Sequence, residues 1–421
     1  MKKIHFLLFL FLSLTMFSQE KLSLKECYIL LDKNYPLTQQ STLLEQQNAL
    51  DLAVINTENL PKLEFAAQAS YQSDVTHLPI SIPNMTIEQP NKDQYKATVS
   101  VNQLIYAGGF VKAKTEAKNA TLKTNLKQVE VNVYQLKKQV NQLYFSILFQ
   151  QEKKALLTSK KELLEAKLKE VKAGVKYGVL LPSSDSVLEA ELLKITQQFI
   201  EIESNKTSLF ETLSNLIGTT LNASSSLENP ETIKSESNEI NRPELDLFQL
   251  KKEQIDTNET LLSKQNAPKI MSFATGGYGN PGLNMLDNSF QPYYLVGVKL
   301  NWTVFDWNAN KKQRESLKIN KEIVDTEESV FKLHTNIELD QTNAEINKIS
   351  AFIPTDNSII TLQKNILKTT ESQLKNGVIT AAAYLTELTN LYEAENNLST
   401  HKIQLLLAQT NYNTTKGSSK Q

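Results

Sequence analysis

The sequence predicts a mainly α-helical fold, in which very long coiled-coil helices alternate with four β-strands in two copies of one plan. Three observations carry this. The 12 glycines and 12 prolines among 421 residues are few and clustered, leaving long stretches free of both. Those stretches show a 4-3 hydrophobic rhythm, the spacing of coiled coils. Segments of period-two alternation lie between them, and the order recurs half-way along the chain.

Composition narrows the function. Lys+Arg is 45 against 46 Asp+Glu, a net charge of −1, which removes a charge-driven nucleic-acid partner. The single cysteine, Cys27, excludes an intrachain disulfide or a Cys-based metal cluster and is read as a small core residue on the first amphipathic segment. His77, His334 and His401 are scattered over a loop and two helices and are read as solvated. Gly277-Tyr-Gly279-Asn-Pro-Gly282 fits G-x-G-x-x-G. A strand follows it rather than the helix a phosphate cradle requires, so it is read as a loop. No enzyme, cofactor or metal site is expected.

The N-terminus reads as an export signal over residues 1–18. Lys2 and Lys3 precede an apolar run, Ile4–Phe17, which is too short to span a bilayer. No later segment has the length and apolarity of a membrane helix, so a membrane role requires a β-barrel. An opening helix is expected from Pro36 to Leu60. Phe110–Ala173, 64 residues without Gly or Pro, carries the apolar series Leu122, Leu126, Val129, Val133, Leu136, Val140, Leu143 and Ile147. Ser183–Ile217 and Val378–Lys416 read as further helices, and Pro354 marks a kink or break in the long helix before the last one. The alternating segments are Leu63–Tyr71, Tyr95–Ile105, the weaker Lys269–Tyr278, and Tyr293–Val304. Each has the length of a tilted bilayer-spanning strand and one apolar face. Four strands cannot close a barrel, so several chains would have to share one; otherwise the strands are hairpins of a soluble periplasmic coiled-coil scaffold or adaptor.

The duplication is explicit. Asn34-Tyr-Pro36 and Asn241-Arg-Pro243 stand 207 apart (241 − 34), as do Leu60-Pro61-Lys62 and Ala267-Pro268-Lys269. Leu104–Gly109 matches Thr303–Asn308, and Val175-Lys-Tyr-Gly178 matches Leu374-Lys-Asn-Gly377, both at 199 (377 − 178). The change of offset falls in the strand–strand loops, 73–93 against 279–291. The expected division is residues 19–217 as the first repeat, 218–242 as an equatorial linker, 243–416 as the second repeat and 417–421 as a tail. At 1.5 Å per residue the 64-residue helix spans roughly 95 Å. Ser183–Ile217 and Pro243–Ala267 together return nearly that distance, which predicts a helical stalk with strands at one end and two Gly-marked tips at the other.

With this plan the whole mature chain resembles the outer-membrane efflux protein family, the TolC-like exit ducts. The resemblance is carried by Leu22-Ser-Leu-Lys-Glu-Cys27, Asn34-Tyr-Pro36, Val101–Gly109, Lys176–Pro182, Leu188-Glu-Ala-Glu191, Lys375–Thr380 and Tyr384-Leu-Thr-Glu387. It implies a homotrimer whose strands join in one barrel in the outer-membrane lipid. It further implies a helical tunnel through the periplasm, working with a periplasmic adaptor and an inner-membrane pump. By the same resemblance Gly178, Val179, Leu180 and Gly377, Val378, Ile379, Thr380 are the adaptor-contact tips. The family's ring of acids does not transfer cleanly, because Ala383 and Thr386 stand where acids are common. Asp185 lies near the matching place in the first repeat. Glu387 could supply a ring of carboxylates that favours cations, and Tyr384 could close the opening sterically. Equally, Asp185 and Glu387 read as solvated surface charges and Tyr384 as packing.

Overall fold

The computed structural model describes residues 21–76, 79, 89–222, 225–230, 234–235 and 239–418. The expected signal, His77, parts of the 73–93 loop and of the 218–242 linker, and the end of the tail lie outside the described residues.

The first half runs α1 (Leu24–Asn34), α2 (Gln39–Asn56), β1 (Lys62–Tyr71), β2 (Asp93–Tyr106), α3 (Phe110–Gln135), α4 (Lys137–Lys176) and α5 (Ser184–Ile217). The second half runs α6 (Pro243–Gln265), β3 (Lys269–Asn280), β4 (Gln291–Asn301), α7 (Ala309–Lys375) and α8 (Ala381–Lys416).

Helix begins earlier than Pro36. Ser23 forms a capping box with Glu26, accepting from its N–H at 3.2 Å while its own N–H donates to the Glu26 carboxylate at 2.7 Å. Tyr35, forced out of the α region by Pro36, is extended (φ −62°, ψ 132°) and separates α1 from the 3-10 turn Pro36–Thr38 and α2. The long helix expected from Phe110 is interrupted only at Leu136, which keeps helical dihedrals (φ −70°, ψ −17°). Pro354 does not break its helix: α7 continues through it for 67 residues. Pro354 and Ser350 are exposed, so the Ser350 carbonyl deprived of its N–H partner faces water.

The four strands form one antiparallel sheet in the order β1-β2-β3-β4. Its registers include Phe65↔Val99, Val99↔Gly276 and Ser272↔Val298. The segment expected to be the weakest strand, β3, is central and paired on both sides. The Gly277–Gly279 part of the G-x-G-x-x-G match is strand rather than loop, because the β2 and β4 ladders both hold it.

The chain divides into two compact units, with two of the four boundaries inside the long helices α3 and α7 and two at the starts of α2 and α6. One comprises residues 39–129 and 244–331, and includes the sheet. In it α6 and α7 are joined by a ladder of ion pairs. Lys252 reaches Glu328 at 2.9 Å, Asp256 receives Lys321 at 2.8 Å, and Glu259 receives Arg314 at 3.0 Å. The seven-residue spacing of the α7 members brings each to the same face.

The other unit comprises the described residues within 21–38, 130–243 and 332–418. It holds two apolar cores. In the first, Cys27 and Leu31 of α1 pack with Val140, Tyr144 and Phe145 of α4 and Phe210 and Leu213 of α5. Tyr144 donates to the Leu22 and Glu228 carbonyls (2.8 and 2.7 Å), tying the start of the chain to the linker. The buried Asn141 donates to Asn411 and Thr414 of α8 and accepts from Tyr28. The second core joins Leu157, Leu164 and Val171 of α4 to Leu188 and Ile195 of α5, Leu367 and Leu374 of α7, and Tyr384 and Leu388 of α8. Each such side chain contributes about 1.5–3 kcal/mol on burial.

Candidate functional site

The two Gly-marked turns are the α4–α5 and α7–α8 connections, and both close in the same way. Gly178 and Gly377 sit in left-handed backbone, φ +73° and +68°, where a side chain is disfavoured. The Gly178 N–H donates to the Val175 carbonyl at 3.1 Å and the Val179 N–H to Gly174 at 2.9 Å. The Gly377 N–H donates to Leu374 at 3.0 Å and the Val378 N–H to Gln373 at 2.9 Å. This satisfies the last carbonyls of each helix in a Schellman turn and projects the next residue outward. Tyr177, Val179 and Val378 are accordingly exposed (78%, 55% and 69%), an apolar display that packing inside the chain does not use. Leu180 and Ile379 fold back onto the second core.

The two turns differ in surroundings and in the start of the returning helix. A Cβ on Gly178 would meet nothing within 4 Å, whereas on Gly377 it would lie 3.0 Å from the Val179 carbonyl oxygen. Thr380 caps α8, accepting from Ala383 N–H at 3.2 Å. Ser183 caps α5 without a side-chain bond.

The gate candidates separate. Ala383 and Thr386 lie on the exposed side of α8, the Thr386 hydroxyl donating to the Ala382 carbonyl at 3.1 Å. Glu387 is half-buried and accepts from Asn390 at 3.1 Å. Asp185 is half-buried in the first turn of α5 and accepts from the Ser186 N–H at 2.8 Å, favourable at a helix N-terminus. Tyr384 is 1% exposed, since it shares the inner stripe of α8 with Leu388 and Leu391. Burial pushes its hydroxyl up to about 12, with Lys167 opposing and Glu371 and Glu170 adding to the rise.

Sequence reasoning missed two residues of this region, Lys160 and Lys167. They occupy seam positions of α4 seven residues apart, between Leu157, Leu164 and Val171, and are 7% and 5% exposed. Lys160 binds Glu191 of α5 at 2.8 Å, with its nitrogen 4.9 Å from the Tyr392 ring centre. Lys167 binds Glu170 at 2.7 Å and also Glu371 of α7. Burial lowers the Lys167 pKa, but the bonds to Glu170 and Glu371 outweigh it and leave the ammonium above its ordinary value. Lysines at heptad spacing inside an apolar seam were the signal available. Of the histidines, His334 is exposed as expected, but His401 is engaged, its Nδ1 2.6 Å from Asp356.

Residues 39–219 match the family described as outer membrane efflux protein. The matched segment runs from α2 to the end of α5 and so includes β1, β2 and the first tip. No curated protein sequence matches this chain significantly. Solved structures share its fold. The Campylobacter jejuni CmeC outer membrane channel aligns with a TM-score of 0.65 at 16% identity, over 94% of this chain and 85% of that one. The Vibrio cholerae outer membrane protein VceC gives 0.66 at 13% identity, over 94% and 96%. The open state of the Neisseria gonorrhoeae MtrE outer membrane channel gives 0.64 at 14% identity, over 94% and 88%. The family is one of non-enzymatic transport channels.

Proposed function

We propose that this protein is an outer-membrane channel, the passive exit duct of a tripartite efflux or type I secretion system. Three copies pool their strands in one outer-membrane barrel, and the periplasmic tips dock to an adaptor that connects to an inner-membrane pump. The observation that carries this reading is the sheet. Its edge strands β1 and β4 have no partner within the described residues, and its apolar side chains stand exposed. Such edges are forbidden in lipid unless the sheet closes, and four strands from each of three copies make an even, closable number. The same alternation puts Gln68, Ser100, Lys299 and Asn301 on the other face, suited to a water-filled lumen.

The turns around Gly178 and Gly377 supply the docking surface in this scheme, through the exposed Val179 and Val378. Glu387 and Asp185 are the residues proposed to give the opening its charge. The division into residues 19–217 and 243–416, joined by an equatorial linker, is proposed to reflect a duplicated gene segment.

Membrane fractionation and mass measurement test the reading. The protein should remain with the outer membrane through high-salt and carbonate washes and leave detergent extraction as a trimer. Release by salt as a monomer or dimer would exclude the barrel and favour a soluble coiled-coil scaffold.

A further inference from the structure

The internal repeat specifies how neighbouring copies join. The β1–β2 register becomes the β3–β4 register when β1 numbers are raised by 207 and β2 numbers by 199. Lys62↔Asn102 maps onto Lys269↔Asn301, and Phe65↔Val99 onto Ser272↔Val298, as observed. The offsets read from sequence motifs therefore describe strand pairing, residue for residue. One ladder remains, β2–β3, which joins the first repeat to the second. Its counterpart would join β4 to the β1 of another copy, since β1 and β4 stand at opposite edges of one sheet.

We propose that β4 of one copy pairs antiparallel with β1 of the next, with Trp302 opposite Phe65, Leu300 opposite Ala67, Val298 opposite Ala69 and Val296 opposite Tyr71. This deepens, and rests on, the shared-barrel reading. The register follows from the observed pairs Gln103↔Ser272, Val101↔Ala274, Val99↔Gly276 and Ala97↔Tyr278 by adding 199 to β2 and subtracting 207 from β3.

Three features support it. First, side chains match by face. The pairs above set apolar against apolar, and the intervening ones set Lys299 opposite Gln68 and Gly297 opposite Ser70. A slip of one residue in either direction would put three of the four apolar β4 side chains opposite polar ones, the fourth meeting Ala66. Second, the bulge transfers. The β2–β3 ladder shifts between Leu104 and Tyr106. The same shift in β4 sets Val304 aside and brings Phe305 opposite Leu63, again apolar on apolar. Third, β2 runs beyond its last β1 partner, Asn102, because Gln103, Leu104 and Tyr106 pair with β3. Trp302–Phe305 are the counterparts of 103–106, and among the described residues no strand pairs with them. Trp302 (57% exposed), Phe305 (68%), Phe65 (74%) and Leu63 (72%) are left as an open apolar margin that the next copy covers.

Paired cysteines test the register. Val298→Cys is combined in turn with Ala67→Cys, Ala69→Cys or Tyr71→Cys. Gly297→Cys with Ser70→Cys is run beside them, because adjacent antiparallel pairs alternate between closer and wider geometry. Cys27 stays in place, being fully buried, and single variants are the controls. The detergent-extracted proteins are mildly oxidised and separated under non-reducing denaturing conditions, and native mass is measured on the same samples. Covalent trimers should form with Ala69→Cys or with the Gly297–Ser70 pair. The Ala67→Cys and Tyr71→Cys combinations should react about tenfold more slowly or worse, since diagonal neighbours lie outside ordinary disulfide reach. Preferred cross-linking through Ala67→Cys or Tyr71→Cys would overturn the register. A trimeric mass with no cross-link in any combination would overturn the β4–β1 junction. A monomeric mass would instead bring down the shared-barrel reading on which the proposal stands.

Discussion

The Lys167 ammonium on α4 is paired with the Glu371 carboxylate on α7, and its nitrogen lies 5.6 Å from the centre of the Tyr384 ring on α8. One buried cation thus connects three of the four helices that converge on the tips. Lys167→Met keeps the aliphatic packing and leaves Glu371 half in water, so its cost at pH 7 should stay within about 1 kcal/mol. Lys167→Glu would set three carboxylates together and should cost several-fold more. The folded-state pKa of Lys167 is raised, so its contribution is complete below the unfolded lysine pKa and is lost as pH rises through the folded value. Thermal midpoints at pH 7 and pH 11 should therefore show wild type losing ground relative to Lys167→Met at the higher pH. A constant difference would show that the pair contributes nothing.

Tyr384 should behave as core. Tyr384→Ala is expected to destabilise by about 3–5 kcal/mol, and Tyr384→Phe by less than about 1 kcal/mol. Denaturant midpoints measure this. Unchanged stability of Tyr384→Ala together with a rise in ion conductance in planar bilayers would mean that the ring plugs the opening instead.

The tip glycines should differ from each other. Both need positive φ, so Gly178→Ala should cost about 1 kcal/mol from backbone conformation alone. Gly377→Ala adds the close approach to the Val179 carbonyl and should cost about 1 kcal/mol more. Bulky charged substitutions at either position should abolish export while leaving trimers intact. Export at wild-type rate would remove the docking role.

Glu338 predicts an acid limit. Burial raises its pKa, but bonds from Lys138 and Thr415 and the nearby Arg242 charge bring it below the ordinary carboxylate value. Its stabilisation is present above the unfolded glutamate pKa and is lost as pH falls through the folded one. Glu338→Gln should therefore be less stable than wild type at pH 7, with the gap narrowing below about pH 4. A gap that is the same at both pH values would show that ionisation of Glu338 is not involved.

Cys27 should be silent. Burial, with Glu26 adding to it, pushes its thiol up to about 12, so the reactive thiolate is scarce at neutral pH, and the side chain is fully buried. Maleimide labelling at pH 7.5 should require denaturant; rapid labelling of native protein would contradict the packing of α1.

Much of the architecture was legible in the sequence because it depends on local periodicity. Heptads placed α3 and α4, stretches free of glycine and proline placed α5 and α8, period-two alternation placed all four strands, and Gly178 and Gly377 placed the turns. Two motif offsets even contained the strand register, since pairing in a duplicated sheet repeats with the duplication. Local signals erred where neighbours supplied the deciding term. Proline punctuation argued for a kink or break at Pro354; the break does not occur, because the orphaned carbonyl reaches water and α7 continues. The glycines of 277–282 argued for a loop, yet ladders on both sides hold Gly277 and Gly279 in β3.

The sequence by itself determined the order of the strands and long helices, the position of the tips and the two-faced character of the strands. Each of these follows from residues within a few turns of one another. Only the tertiary structure decided which side of α8 faces inward, and so that Tyr384 packs while Ala383 and Thr386 are exposed. It alone brought Lys167 to Glu371, 204 residues away, and Asn141 to Thr414, 273 away. The physical reason is that a helix presents residues to all sides, and which side is buried depends on partners that periodicity does not name.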